Sequence, residues 1–163
     1  MLIRFTKPAN TDGKPVLTLV REDGSTTWQH SSNFFVGHDL THFAVESELG
    51  FSEAFFGLIA SGWSIEEFAD KVPGSNKTRP LPEQALQAEV LVGLLDLQRA
   101  QGGFSDGELL GQYSELCASR GLPCPIAAEP VIEGIRNTRD ALLSRWAMLD
   151  PGQVMELQFK PQK

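Results

Sequence analysis

The sequence predicts an α+β fold: an antiparallel sheet of three N-terminal strands plus the C-terminal strand, with a central all-helical segment packed on one face. Two observations lead to this expectation. Apolar and polar residues alternate near both ends of the chain, whereas the residues between them follow a helical period. The C-terminal strand has no local partner, and a lone strand must join a sheet, so the N-terminal strands are its expected neighbours.

Strand patterns occur close to the two ends of the chain. The predicted strands are residues 2–7, 16–21, Thr26–His30 and 154–159. Asp23-Gly24 is a strong hairpin signal between the second and third strands. In the last strand, Met155, Leu157 and Phe159 share one face because side chains alternate along a strand.

Helical periodicity and capping residues fill the middle of the chain. The predicted helices are residues 36–49, 53–60, a short helix from 64 to about 71, 82–100, Asp106–Ser119 and 130–149. Gly50 is a favourable residue to end the first helix, and Ser52 is a favourable N-cap for the second. Pro82 suits the first turn of the helix that is predicted at residues 82–100. Residues 72–81, which contain two prolines and a glycine, are predicted to form a loop.

Length and composition limit the class of protein. The chain has 163 residues, which predicts one domain over 1–163, and a formal net charge of −7. This acidic balance argues against nucleic acid as a partner, because phosphate backbones are bound mainly through Lys and Arg. No apolar run reaches the roughly 20 residues of a membrane helix, and the start lacks the apolar stretch of a signal peptide. Two cysteines are too few for a disulfide framework, so we expect free thiols and a cytoplasmic protein.

The charges are distributed unevenly along the chain. No Lys or Arg lies between Arg21 and Lys71, and this stretch holds all three histidines of the chain. It also holds nine carboxylates: Glu22, Asp23, Asp39, Glu46, Glu48, Glu53, Glu66, Glu67 and Asp70. A segment rich in imidazole and carboxylate but without fixed cations suits a metal ion or an organic cation. The alternative is a solvated acidic helical face.

One short motif within this stretch could bind a metal. His38 and His42 lie four residues apart on a predicted helix, which places them about 40° apart and one turn above each other. Asp39 and Glu46 extend the same polar stripe, whose flanks are apolar. A polar stripe between apolar flanks faces the protein interior or a cleft. Two imidazoles at this spacing can share one metal ion, and zinc is the first choice.

The third metal ligand is less well determined by the sequence. We expect Glu53 to fill this role, because three groups on one straight helix at this spacing span about 12 Å and cannot easily converge. Gly50 lets the chain reverse and bring Glu53 back beside the histidines, and Glu46 could then orient His42 through its second ring nitrogen. The alternative third ligands are His30, at the end of a strand, and two acids that share a face of the helix predicted at 82–100, Glu89 and Asp96.

The motif His38-Asp39-Leu40-Thr41-His42 resembles the zinc motif of a ubiquinone-biosynthesis protein family, in which a glutamate follows from the next helix. Glu53 falls one residue short of that family's spacing, where Ala54 stands. The resemblance covers only this segment, and the N-terminal strands do not fit that largely helical family. It implies that two histidines on one helix can form half of a metal site and that the next helix supplies the acid.

Two functions follow as expectations. The first is a metal-binding protein, which as an enzyme would be a metal-dependent hydrolase that uses a metal-bound water on an ester, amide or phosphoester. The second is a non-catalytic interaction or assembly module, whose acidic helical surface would bind a second copy of the chain or a basic protein. The sequence does not indicate a substrate.

Overall fold

The computed structural model describes residues 1–68, 80–126 and 128–161. It contains the predicted sheet, in which four strands are antiparallel in the order β3-β2-β1-β4. The strands are β1 (Leu2–Thr6), β2 (Val16–Val20), β3 (Thr26–His30) and β4 (Val154–Gln158). The C-terminal strand therefore pairs with the first strand, as predicted, and Phe159 N donates a hydrogen bond to Met1 O at 2.9 Å.

One face of the sheet is buried beneath the helices. In register, Ile3 pairs with Leu19 on one side and with Leu157 on the other, and all three side chains are buried. The opposite face is open to solvent, where Trp28 on β3 is 57% exposed. The two-residue period of the strands thus produces one apolar face for the helices to cover.

The helical segment lies between β3 and β4 in the chain. It comprises α1 (Asn33–Leu49), α2 (Phe55–Ala60), a 3₁₀ turn (Ile65–Phe68), α3 (Glu83–Gln101), α4 (Asp106–Ser119) and α5 (Glu129–Met148). The Ser32 side chain accepts a hydrogen bond from Phe35 N, so α1 begins three residues earlier than predicted. Most of the predicted loop at 72–81 lies outside the described residues.

Helix α1 occupies the centre of the molecule. It packs against α3 and α5, and it contributes to both main apolar clusters. Leu40 packs into the cluster beneath the sheet, and Val45 into the cluster between the helices. The helix ends at Gly50, which has a φ of 66° and donates its backbone N–H to Glu46 O. Because α1 is buried on most sides, its polar residues must find partners inside the protein.

Two further features agree with the sequence. Cys117 and Cys124 are free thiols. No helix within the three described ranges has both the length and the apolar character needed to cross a bilayer.

Candidate metal site

The candidate site lies where α1 packs against α3. His38 and His42 come from consecutive turns of α1, and Glu89 and Asp96 come from one face of α3, two turns apart. The two imidazole rings make edge-to-face contact, with centroids 4.8 Å apart. The predicted pairing of the two histidines on one helix face is therefore present in the structure.

Asp96 orients His38. The Nδ1 atom of His38 lies 2.9 Å from Asp96 Oδ2, and Thr41 Oγ1 donates to the other oxygen, Oδ1, at 3.2 Å. Burial raises the pKa of Asp96, but the hydrogen bond and charge of His38, with the charge of Arg99 and the hydrogen bond of Thr41, together outweigh burial and hold that pKa below its usual value. The ionised carboxylate has no proton to give, so His38 Nδ1 donates, and Nε2 is the ring nitrogen that Asp96 does not engage.

His42 is almost fully buried between two carboxylates. Its Nε2 lies 3.4 Å from Glu89 Oε1, and its Nδ1 lies 3.5 Å from Glu46 Oε1. Burial alone would lower the pKa of His42, but the two glutamates outweigh burial and raise it to about 10. The distance to Glu46 allows charge attraction, yet Nδ1 has no hydrogen-bond partner in the described part of the chain. The imidazole therefore lies in a strongly negative surrounding with one ring nitrogen unsatisfied.

The distances in this group fit a metal ion. His38, His42 and Glu89 each offer one ligand atom, and these atoms all lie within 4.8 Å of one another. An ion bound at about 2.0–2.1 Å with tetrahedral angles separates its ligand atoms by about 3.4 Å. The 3.4 Å between His42 Nε2 and Glu89 Oε1 equals this separation. A metal could therefore bind between His42 and Glu89 with little movement of either side chain. The three atoms spread over as much as 4.8 Å, so His38 would have to move closer to bind the same ion.

Glu46 has a structural partner of its own. Its side chain is almost fully buried, and its Oε2 accepts hydrogen bonds from Phe56 N at 2.9 Å and from Gly57 N at 3.2 Å. These are N-terminal amides of α2, so the carboxylate caps that helix and faces its positive end. Burial raises the pKa of Glu46, whereas His42 and the α2 amides act in the opposite direction.

Glu53 does not lie with the histidines. The residue is exposed in the turn before α2, and its backbone N donates to Gln84 Oε1 at 2.8 Å. Helix α2 begins at Phe55 rather than at 53, because Glu46 caps it in place of Ser52. The reversal at Gly50 therefore returns the chain to α1 at Phe56 and Gly57, and Glu53 is left outside the group of potential ligands.

Asp39 is a buried acid beside the group. It is 5% exposed, and its Oδ2 has no hydrogen-bond partner among the described residues. Burial raises the pKa of Asp39 to about 7, and the charges of His42 and His38 act in the opposite direction.

His30, the other alternative ligand, lies away from this group. It is exposed on β3, where its ring contacts Trp28.

Aromatic residues surround the histidines. Phe34 stacks on the His38 ring with planes 15° apart, and Phe35 contacts the same ring edge-on. These two phenylalanines are 61% and 54% exposed, whereas Phe55 contacts His42 from a more buried position. The Glu89 side chain is 51% exposed. The group is thus buried at His42 and open to solvent towards Glu89 and the two exposed phenylalanines.

Sequence reasoning named Glu89 and Asp96 only as alternatives. Their signal is a seven-residue separation, about two helical turns, which places both acids on one face of α3. That signal shows which residues share a face, but it does not show which helix the face contacts.

No protein-family model, curated protein or solved structure matches the chain. The group between α1 and α3 is therefore the feature from which a function can be inferred.

Proposed function

We propose that this protein binds one divalent metal ion, with zinc as the first choice, between α1 and α3. The ligands are His38, His42 and Glu89. The observation that carries the proposal is the convergence of two imidazoles and a carboxylate from two helices, with ligand atoms within 4.8 Å of one another. Glu89 takes the role that the sequence had suggested for Glu53.

The surroundings of these ligands support the proposal. A metal-binding histidine usually donates its second ring N–H to a carboxylate, which fixes the ring and strengthens the ligand. Asp96 is already in this position for His38, and Glu46 lies 3.5 Å from Nδ1 of His42. His38 therefore already has its partner, whereas His42 Nδ1 would have to approach Glu46 more closely to form the equivalent hydrogen bond.

The number of ligands favours a reactive ion over a purely structural one. Structural zinc sites are closed by four protein ligands, whereas catalytic sites use three and keep the fourth position for water. Zinc lowers the pKa of such a water towards neutrality and makes it a nucleophile. We extend the proposal to metal-dependent hydrolysis, with Phe34 and Phe35 as apolar surface beside the ion for part of a substrate.

The experiment is a metal titration of protein that has first been stripped with chelator. Isothermal calorimetry with Zn²⁺ should give one ion per chain, and elemental analysis after gel filtration should give the same ratio. Glu89→Gln keeps the size of the side chain but removes its charge, so it should weaken zinc binding by at least 100-fold. Glu83→Gln, at the exposed start of the same helix, is the matched control and should bind like the parent.

A second set of variants separates the ligand assignments. His38→Ala should lose stoichiometric zinc, whereas Glu53→Gln should retain the affinity of the parent. If the parent takes up no zinc, cobalt or manganese, the proposal is overturned, and the group is a buried ion-pair network. The interaction module with an acidic surface would then be the better hypothesis, and a pull-down with basic partners would be the next measurement.

A further inference from the structure

Asp39 is the buried group that neither the fold nor the three proposed ligands explain. It follows His38 and precedes His42 by three residues on α1, and it is 5% exposed. Its Oδ2 makes no hydrogen bond within the described ranges. Buried polar atoms are almost always paired, and an exception points to a water, an ion or a function. The other acids of the group have partners: Glu46 caps α2, and Asp96 holds His38.

The groups that attract the Asp39 carboxylate do not carry a permanent positive charge. The charged groups that act on it are His42 and His38, which attract the carboxylate, and Glu89 and Asp96, which repel it. Both attractive groups are imidazoles that must be neutral when they ligate a metal. Once they bind the ion, they no longer offset the charge of Asp39, and the fixed cation Arg99 lies 3.8 Å from Asp96 Oδ1, where it acts on that carboxylate instead. Asp39 is therefore placed to interact with a bound ion or with something that the ion holds.

We propose that Asp39 accepts a hydrogen bond from the water in the open position of the ion and thereby positions that water. This inference rests on the proposed function. Asp39 is not among the residues whose ligand atoms lie within 4.8 Å of one another, which places it outside the set of direct ligands. A residue outside that set can still reach the ion through a water that is bound at about 2.1 Å and donates a hydrogen bond over about 2.7 Å.

This role adds a chemical consequence to the metal site. A carboxylate that accepts one hydrogen of the bound water aims an oxygen lone pair of that water towards a substrate and receives a proton as the water attacks. With an ester as substrate, the water would lose its proton to an Asp39 oxygen while its own oxygen bonds to the carbonyl carbon. The C–O bond to the alkoxide would then break, and the alkoxide would take the proton from Asp39, which returns the carboxylate. Asp39 would then be a catalytic residue that both positions the water and acts as its general base, with the unpaired Oδ2 as the acceptor.

The test uses the full chain loaded with Co²⁺, whose visible spectrum reports the ligands of the ion. In the parent protein the spectrum should change with pH as the bound water ionises. In Asp39→Asn the midpoint of that change should fall by at least half a pH unit, because a neutral amide no longer repels the hydroxide. Azide, an anion that competes for the position of the water, should bind at least tenfold more tightly to Asp39→Asn for the same reason. Asp12→Asn, an exposed change in the β1–β2 connection, is the control and should match the parent in both measurements.

The outcomes separate this inference from the metal site itself. Failure of the parent to bind Co²⁺ would overturn the proposed function and this inference together. Co²⁺ binding by the parent with an unchanged midpoint and unchanged azide affinity in Asp39→Asn would overturn only the inference. Loss of Co²⁺ from a folded Asp39→Asn would also overturn it, because Asp39 would then be a direct ligand. If circular dichroism shows that Asp39→Asn is unfolded, Asp39→Ser, which also removes the charge, is measured in its place with the same expected shifts.

Discussion

Asp96 on α3 accepts a hydrogen bond from His38 on α1, with 2.9 Å between Oδ2 and Nδ1. The contact links the packing of the two helices to the orientation of one imidazole. Because Nδ1 is held by the carboxylate, Nε2 is the ring nitrogen that remains for a metal. The orientation of His38 therefore depends on a residue outside the proposed set of metal ligands.

Asp96→Asn should weaken zinc binding without abolishing it. The amide no longer supplies the negative charge that fixes the ring and raises its basicity, and the loss of such a partner costs about 10- to 100-fold in affinity. Calorimetric titration measures the change, with Asp12→Asn as the control. Complete loss of zinc from a folded variant would make Asp96 a ligand, and an unchanged affinity would show that it does not orient His38.

Zinc affinity should rise with pH. The neighbouring glutamates raise the pKa of His42 to about 10 against burial, so the metal-free protein holds a proton that zinc must displace. Release of one proton makes the affinity rise about tenfold per pH unit, or about 100-fold between pH 6 and 8. Heats of binding in two buffers of different ionisation enthalpy measure the number of protons released. An affinity that does not change over this range would argue against His42 as a ligand.

Asp39→Asn should stabilise the metal-free protein at neutral and alkaline pH. The pKa of Asp39 is raised from about 3.8 in the unfolded chain to about 7 in the folded one. The buried charge therefore destabilises the fold increasingly as pH rises above about 4, and its cost is fully present above about pH 7. Urea unfolding in the presence of chelator should show a gain on the order of 2–4 kcal/mol at pH 8 and almost none at pH 4. Equal stability of the two proteins at pH 8 would contradict this account of the buried carboxylate.

Glu46→Ala should destabilise the protein by about 3 kcal/mol, because it leaves the amides of Phe56 and Gly57 buried without an acceptor. Glu46→Gln keeps an acceptor oxygen and should cost less. Glu53→Ala, which changes an exposed acid in the turn before α2, is the control, and its free energy of unfolding should change by less than about 0.5 kcal/mol. Equal losses in Glu46→Ala and Glu53→Ala would show that the cap does not stabilise α2.

Leu157→Ala tests the pairing of the two ends of the chain. Leu157 pairs with Ile3, and its side chain is buried under the helices. Removal of a buried leucine side chain costs about 2–5 kcal/mol, whereas Glu156→Ala on the exposed face of β4 should cost below about 1 kcal/mol. Chemical unfolding of the two variants gives the comparison. Similar small losses would show that β4 is not part of the cooperative fold.

The sequence by itself determined the features that depend on near neighbours in the chain. Alternation along β1 and β4 predicted which side chains would be buried, because successive residues of any strand point to opposite faces. The four-residue spacing of His38 and His42 predicted that their rings would meet, since helical geometry places such residues one turn apart. Neither prediction required knowledge of the rest of the molecule.

Only the tertiary structure decided which acid faces the histidines. Helix α1 is buried on most sides and has no single apolar stripe, so its periodicity could not show which neighbour each face would contact. The start of α2 at Phe55 engaged Glu46 as a helix cap and left Glu53 exposed, whereas the packing of α3 brought Glu89 to His42. Such convergence depends on how whole helices pack through many apolar contacts, and residues far apart in the chain supply those contacts.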